Sequence, residues 1–146
     1  MIEIKEFRPF GEHQITQEVL DILQDAFKHD KIELSLARSR SKSRYLCNNH
    51  TFGIYLDGQL IGTASVLIEK KLFRKEKPNI AHIEDVAIHR DYRGFGYGKQ
   101  LINHLVDYAK FKGCYKVVLY CSNDNTKFYK KCGFRHTSNL MRKDLD

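Results

Sequence analysis

The chain has 146 residues, of which 42% are hydrophobic and 29% charged, and its formal net charge is +7. We expect a single domain over residues 1–146, large enough to bury an apolar core without disulfides or a metal. No apolar run is long enough to cross a membrane, and the first residues lack the apolar segment of a signal peptide, so we expect a cytoplasmic protein without a membrane partner. The positive charge favours anionic partners: nucleic acid, an acidic membrane surface and a phosphorylated small molecule are all compatible with it.

The first third of the chain predicts one strand and one amphipathic helix. Residues 2–7 show a rough period of two, which is typical of a strand, and apolar residues between Ile15 and Phe27 recur at helical spacing. This helix is expected to end near His29. Residues 31–49 fit either a short helix or extended chain, and they include a basic run from Arg38 to Arg44.

A hairpin is predicted in the middle of the chain. The segments 51–56 and 60–69 flank Asp57-Gly58, a dipeptide that supplies the two positive φ angles of a type I′ turn. A polar, basic loop over residues 73–79 then leads into a third apolar run, residues 80–88, which is expected to form a buried strand.

The remaining elements alternate between helix and strand. Apolar positions from Leu101 to Ala109 predict a helix that Gly113 ends. Further elements are expected at residues 115–121 (strand), 125–132 (helix, ended by Gly133) and 134–142 (strand). The sum is an α/β or α+β domain with a mostly antiparallel sheet and helices on its faces.

Two adjacent carboxylates, Glu84 and Asp85, interrupt the apolar run over residues 80–88. A charge in a buried strand is costly unless it is compensated, so this pair points to a function, although a hydrated strand end would also explain it. Because side chains alternate along a strand, Glu84 is expected on the same face as His82, with Asp85 facing away.

A glycine-rich turn, Arg93-Gly94-Phe95-Gly96-Tyr97-Gly98-Lys99, follows this strand and opens a helix. Glycines allow backbone N–H groups to approach a phosphate closely, and the positive end of a helix dipole favours an anion there. The turn lacks the ending of a Walker loop and the glycine spacing of a dinucleotide fingerprint. It predicts an anion site of another kind, or a plain loop.

The pattern Arg93-x-x-Gly96-x-Gly98 after a strand resembles the pyrophosphate-binding motif of the GCN5-related N-acetyltransferases. Over roughly residues 67–134 the chain is similar to the eukaryotic glucosamine 6-phosphate N-acetyltransferases of that superfamily. The matching segments are His82-Ile83-Glu84-Asp85, Gly113-Cys114-Tyr115-Lys116 and Phe128-Tyr129-Lys130-Lys131-Cys132-Gly133-Phe134. The resemblance implies a mixed, mostly antiparallel sheet whose strands splay apart, with flanking helices.

The resemblance also implies acetyl-CoA as cosubstrate, no metal, and direct attack of the amine of glucosamine 6-phosphate on the thioester in a ternary complex. Glu84 is the expected base or amine-holding group. Tyr129 is expected to protonate or stabilise the leaving thiolate, although it could instead be a core aromatic residue beside Phe128. The implied acetyl-CoA contacts are Val86, Ala87, Ile88, Arg93, Gly94, Phe95, Gly96, Tyr97, Gly98, Lys99, Asn125 and Tyr129.

For the sugar phosphate, the resemblance implies a site shared across a homodimer, with a product that is a step towards UDP-N-acetylglucosamine. The implied contacts are Leu72, Phe73, Arg74, Lys75, Glu84, Asp85, Tyr115, Lys116 and Arg142. One departure is clear: Leu119-Tyr120-Cys121 has a phenol where the family usually has Asp. A role for that Asp therefore cannot be transferred to this chain.

Two alternatives stay open. An N-acetyltransferase of the same fold that acts on another amine, such as a protein, peptide or polyamine, is compatible with Tyr120 and the carboxylate pair. A nucleic-acid-binding module would use the basic run over residues 38–44 as phosphate contacts. That run is short and lies within no recognised nucleic-acid motif, so we expect no nucleic-acid partner.

Overall fold

The computed structural model describes residues 1–28 and 30–145. Its five strands are β1 (Ile2–Glu6), β2 (Asn49–Leu56), β3 (Gln59–Lys70), β4 (Asn79–Ile88) and β5 (Cys114–Leu119). Its α-helices are α1 (Gln17–Phe27), α2 (Leu34–Leu46), α3 (Tyr97–Phe111) and α4 (Thr126–Lys131), with short 3₁₀ turns at Arg90–Tyr92 and Asn123–Asn125. His29, where the first helix was expected to end, lies outside the described residues.

The strands form one sheet in the order β1-β2-β3-β4-β5. The first three pairings are antiparallel, and β4 with β5 is parallel because α3 carries the chain back between them. This mixed, mostly antiparallel sheet with flanking helices confirms the predicted fold class.

The sheet is covered on both faces. On one face α3 buries Leu101, Ile102 and Leu105 completely against alternate sheet residues such as Ala64 and Val66. The intervening residues of β3 point to the other face, where α1 and α2 lie and where a smaller cluster contains Phe7, Ile15 and Val19. Because both faces are covered, β3 is buried at every residue from Ile61 to Val66, including the polar Thr63 and Ser65.

The structure confirms the turn predicted at Gly58 and the helix end predicted at Gly113. Asp57 and Gly58 have φ angles of 49° and 84°, so both central residues of the β2–β3 turn are left-handed, as a type I′ hairpin requires. Gly113, with φ 73°, follows the last turn of α3 and lets the chain reverse into β5.

Helix α2 occupies most of residues 31–49, for which both a short helix and extended chain were compatible with the sequence. Its Ser- and Arg-rich sequence buries none of its residues fully, so it lacks the apolar stripe that marks an amphipathic helix. The basic run over residues 38–44 therefore lies on a helix rather than in a loop.

The strand predicted over residues 134–142 is wrong, because the described chain beyond Gly133 contains no strand. A strand needs an edge to pair with, and in this single chain the segment remains largely exposed, with Leu140 and Met141 at 62% and 90% exposure. The strand predicted to reach Cys121 ends at Leu119.

We expect Gly62→Ala to destabilise the fold by about 1–3 kcal/mol, because overpacking a filled site costs that much. A Cβ at Gly62 would lie 2.5 Å from Ile88 Cδ1 and 3.0 Å from the Ala87 carbonyl oxygen, at the end of β4. Gly11→Ala is the matched control, since its Cβ would meet nothing nearer than 3.9 Å. Urea unfolding measures both, and equal stability of the two variants would contradict this account of the β3–β4 contact.

Candidate active site

Strands β4 and β5 separate half-way along β4. Their parallel pairing runs from Asn79 with Cys114 to Ile83 with Leu119 and ends there. Beyond Ile83, no strand of the described chain pairs with β4 on that side, so the backbone of its second half has an open edge. Such an edge presents unpaired N–H and C=O groups, which an extended ligand can bind as a strand would.

A β-bulge in β4 changes the directions in which the side chains of the carboxylate pair point. Ser65 pairs with Glu84 and Thr63 with Ala87, so one residue of β3 faces two residues of β4 between those pairs. Asp85, in the bulge, has φ 54° in the left-handed region. Strict alternation predicted that Asp85 faces away from Glu84, and this is wrong because the bulge breaks the alternation.

Both carboxylates approach one guanidinium group. Arg44 Nη2 lies 3.7 Å from Glu84 Oε1 and 3.9 Å from Asp85 Oδ2. The same nitrogen donates hydrogen bonds to Ser65 Oγ at 3.1 Å and to Asn49 Oδ1 at 3.2 Å. Asn49 Nδ2 in turn donates to Glu84 Oε1 at 2.9 Å. Glu84 is the first residue of β4 beyond the last pair with β5, and groups from α2 and β2 therefore hold its carboxylate oxygen in place.

Sequence reasoning missed Arg44, Asn49 and Ser65. The basic run marked Arg44 only as one of several cations, and nothing in the local pattern of the other two indicates a site. His82, predicted on the face of Glu84, forms a 2.9 Å hydrogen bond between its Nε2 and Glu69 Oε1.

The glycine turn leads from the open edge into α3. Gly94 and Gly96 have φ angles of 85° and 88°, and Gly96 is the N-cap of the helix. The first intrahelical bond is donated by Gln100 N to Gly96 O, so the amides before it have no helical partner. With the helix dipole, these amides form a cradle suited to an anion.

Arg93, at the start of this turn, is held by the protein itself. Its Nε donates to Ile88 O at 2.8 Å, and its Nη2 lies 3.8 Å from Asp25 Oδ2 on α1. The guanidinium thus ties the glycine turn to the end of β4.

Helix α4 closes the other side of the opening. A Cβ at Gly98 would lie 3.0 Å from Phe128 Cζ, which is a tight contact, so the absence of a side chain here favours the close approach of α4 to the start of α3. The next residue, Tyr129, packs edge-on against Phe128 and Phe134, with ring centroids 4.9 and 6.0 Å away. Asn125 N donates to Ser122 O in the turn that leads into α4.

The phenol of Tyr129 is partly withdrawn from water. Burial is the main cause that raises its pKa to about 12, and Cys121 and Cys132 raise it further. The phenol therefore keeps its proton throughout the neutral range, and it is available there as a hydrogen-bond donor.

A cavity of about 400 Å³ lies between α1, α2 and the sheet. Apolar side chains of α1, among them Val19 and Leu23, line one side, and Thr63, Ser65 and Asp85 line the other. The cavity thus reaches the carboxylate network from the face of the sheet opposite α3.

The predicted sugar-phosphate contacts lie elsewhere in the chain. Arg74 stacks over the Tyr115 ring at 3.7 Å, and Lys116 Nζ is 5.5 Å from the same ring. Lys116 on β5 pairs with Ile80, which is four residues before Glu84 on β4. Lys116 and Glu84 are therefore about 13 Å apart along the strand direction.

The other predicted contacts with this substrate are exposed. Leu72 and Phe73 are 100% and 81% exposed, and Arg142, near the C-terminus, donates from Nε to Asp144 at 2.6 Å. The structure therefore brings Arg74, Tyr115 and Lys116 together but leaves them apart from Glu84 within one chain.

A sequence model of the Acetyltransferase (GNAT) family matches residues 16–134. This chain belongs to the GNAT acetyltransferase family. The matched stretch contains the glycine turn, the parting of β4 from β5 and helix α4. The resemblance stated from the sequence is thereby confirmed.

Named relatives of this GNAT domain include glucosamine 6-phosphate N-acetyltransferases from Arabidopsis thaliana and Candida albicans. The first is 44% identical over 89 residues, which are 61% of this chain and 59% of that protein. The second is 34% identical over 121 residues, 82% of this chain and 78% of that protein. The crystal structure of an Arabidopsis thaliana glucosamine 6-phosphate N-acetyltransferase superposes with a TM-score of 0.82 at 28% identity, covering 100% of this chain and 99% of that one.

Proposed function

We propose that this chain transfers the acetyl group of acetyl-CoA to the amine of D-glucosamine 6-phosphate, giving N-acetylglucosamine 6-phosphate and CoA. The observation that carries the proposal is the parting of β4 from β5 in front of the glycine turn, with Glu84 at its start. The relatives that bear the name of this activity support the choice of amine. The predicted place of the product on the route to UDP-N-acetylglucosamine and the predicted cytoplasmic location remain predictions.

The open edge and the cradle fit acetyl-CoA, the cosubstrate of GNAT enzymes. When bound, acetyl-CoA supplies an activated acetyl thioester. Val86, Ala87 and Ile88 form the second half of β4, and those of their backbone groups that face away from β3 would bind the pantetheine arm as a neighbouring strand would. The amides of residues 94–99 would bind the pyrophosphate. Arg93 would contribute from the rim of this cradle, and Asn125 would contact the arm from the side of α4.

Two side chains would carry the chemistry. Glu84 would hold the amine, or take its proton directly or through water, and Asp85 would stay beside it in the same network. Tyr129 would donate its phenolic proton, or a hydrogen bond, to the departing thiolate. Direct attack requires both substrates to be bound at once, so positioning is expected to supply much of the rate.

We also propose that the chain acts as a homodimer. Arg74, Lys75, Tyr115 and Lys116 form a cationic group suited to a sugar phosphate, with Leu72 and Phe73 beside it and Arg142 in the C-terminal segment. Because the cluster of Arg74, Tyr115 and Lys116 lies toward the far end of β4 from Glu84, we expect the cluster of a second copy to bind the phosphate of a sugar whose amine lies at Glu84. The exposed apolar side chains of Leu140 and Met141 support a partner surface.

The dimer has a direct test in sedimentation equilibrium. We expect a mass twice the 17.1 kDa of one chain at micromolar concentration. A mass that stays at one chain in the presence of both substrates would remove the shared site from the proposal.

An acceptor panel tests the activity. With acetyl-CoA as donor, we expect kcat/KM for glucosamine 6-phosphate to exceed the values for glucosamine, peptide amines and polyamines by at least about tenfold, since the phosphate adds charged contacts. A preference for a peptide or polyamine would favour the other-amine enzyme, for which Tyr120 in place of the family Asp is the specific observation. Binding of nucleic acid that weakens steeply with salt would favour the nucleic-acid-binding module.

Tyr129→Phe tests the role of the phenol. We expect kcat to fall about 100-fold, because general acid groups contribute on that order, while the dissociation constant of acetyl-CoA changes little. Since the pKa of Tyr129 is about 12, the parent should show no loss of activity from its ionisation up to about pH 10. Tyr92→Phe, whose lost hydroxyl donates to Gln59 and has no proposed role in binding or proton transfer, is the control. Unchanged turnover in Tyr129→Phe would remove the acid role.

A further inference from the structure

The basic run on α2 is divided between two environments. Arg38 and Arg44 turn toward the protein, and Arg38 Nε donates to Ile15 O at 2.9 Å. Arg40 and Lys42 are exposed. Arg38 and Arg44 are six residues apart, about 1.7 helical turns, so their side chains leave α2 in different directions and reach different parts of the protein. The proposed function uses neither of them.

Arg44 has several partners within reach of one nitrogen. Its Nη2 contacts Ser65 on β3, Asn49 on β2, and Glu84 and Asp85 on β4, at 3.1, 3.2, 3.7 and 3.9 Å. These four partners come from three strands that the fold brings together at the bulge. A single guanidinium therefore links α2 to every strand that faces the carboxylate pair.

The links restrict the orientation of Glu84. Asn49 accepts from Arg44 through Oδ1 and donates from Nδ2 to Glu84 Oε1 at 2.9 Å, so the guanidinium fixes which way the amide points. Ser65 Oγ is also bonded to Thr51 Oγ1 at 2.8 Å. The chain Arg44–Asn49–Glu84 thus fixes one carboxylate oxygen and leaves the other for the amine.

Other charged groups lie near this network. Lys31, Asp30 and Arg40 line the same cavity, and His82, on the same strand as Glu84, is bonded to Glu69. Arg44 lies within 4 Å of both Glu84 and Asp85, at 3.7 and 3.9 Å. Substituting Arg44 alone leaves these other charged groups in place.

We propose that Arg44 is a positioning residue of this acetyltransferase, which orients the Glu84 carboxylate toward the acceptor amine through Asn49, while Ser65 helps to hold the guanidinium in place. The proposal rests on the proposed role of Glu84 in the transfer reaction. Arg44, Glu84 and Asp85 are 38%, 42% and 47% exposed, and exposed ion pairs contribute little to stability. The contacts of Arg44 therefore act on the geometry of the site more than on the fold.

The first experiment compares Arg44→Ala with Lys42→Ala, which removes an exposed cation from the same helix. For Arg44→Ala we expect kcat/KM for the amine to fall by about 10- to 100-fold, because a small displacement of a reacting group has effects of that order. The KM for acetyl-CoA and the melting temperature should stay near the parent values. Lys42→Ala should retain the parent kcat/KM for the amine within about threefold, the part due to long-range attraction.

A double-mutant cycle separates positioning from a general structural role. If Arg44 acts through Glu84, Arg44→Ala lowers kcat/KM for the amine strongly in the parent and only slightly in the Glu84→Gln background. Arg44→Lys, which keeps the charge but not the planar group, should recover part of the loss, and low millimolar guanidinium should recover part of the activity of Arg44→Ala. Independent, multiplying losses in the cycle would overturn the proposal.

The acceptor in these assays is the amine that the panel selects. If glucosamine 6-phosphate is not the preferred amine, the proposed substrate is wrong while the Arg44 comparison still stands. Parent-like kcat/KM in Arg44→Ala, or an equal loss in Lys42→Ala, overturns the Arg44 proposal alone. A parent that acetylates no amine overturns both.

Discussion

The backbone hydrogen bonding between β4 and β5 ends at Ile83 and Leu119, and the rest of the molecule is arranged around that end. Up to this point the sheet is closed and packed against α3, with Leu101, Ile102 and Leu105 fully buried. Past it, the polar groups of β4 on that edge need another partner, since unpaired backbone groups are costly when they are shielded from water. The glycine turn and α4 border this gap, so the functional part of the fold begins where its regular pairing stops.

The bulge at Asp85 adds a second departure from regularity in the same strand. A residue other than glycine with φ 54° carries some strain, and the surrounding pairs of β3 and β4 hold it in place. In return, two neighbouring carboxylates reach one side of the sheet, where Arg44 lies near both. A regular strand would direct them to opposite faces, and one guanidinium could not serve both.

Much of the fold could be predicted because its local signals agree with its packing. Asp57-Gly58 and Gly113 occupy left-handed positions that glycine or Asp accepts, and the apolar spacing of α3 matches its buried face. Helix α2 could not be predicted, because its contacts with the sheet are made by polar side chains such as Arg44, which leave no apolar period. The strand expected after Gly133 was wrong for another reason: the pattern of residues 134–142 is compatible with a strand, but in the described chain this segment pairs with neither edge of the sheet. The proposed roles of Glu84 and Tyr129 rest on the family resemblance, but the contacts of Glu84 with Asn49 and Arg44 join distant segments and appear only in three dimensions.

The close approach of Gly98 to Phe128 sets the separation between the start of α3 and α4. At one end of the contact lie the amides suited to a pyrophosphate, and at the other end, one residue along α4, lies the phenol of Tyr129. Ile88 Cγ1, at the end of β4, lies 3.6 Å from the same Cβ position, so three elements pack closely around Gly98. A pantetheine arm has a set length between its phosphate and its sulfur. In the proposed binding mode, the close packing of Gly98 against Phe128 sets the separation between the pyrophosphate site and the Tyr129 phenol to match that length. Binding of the phosphates then also determines the position of the sulfur.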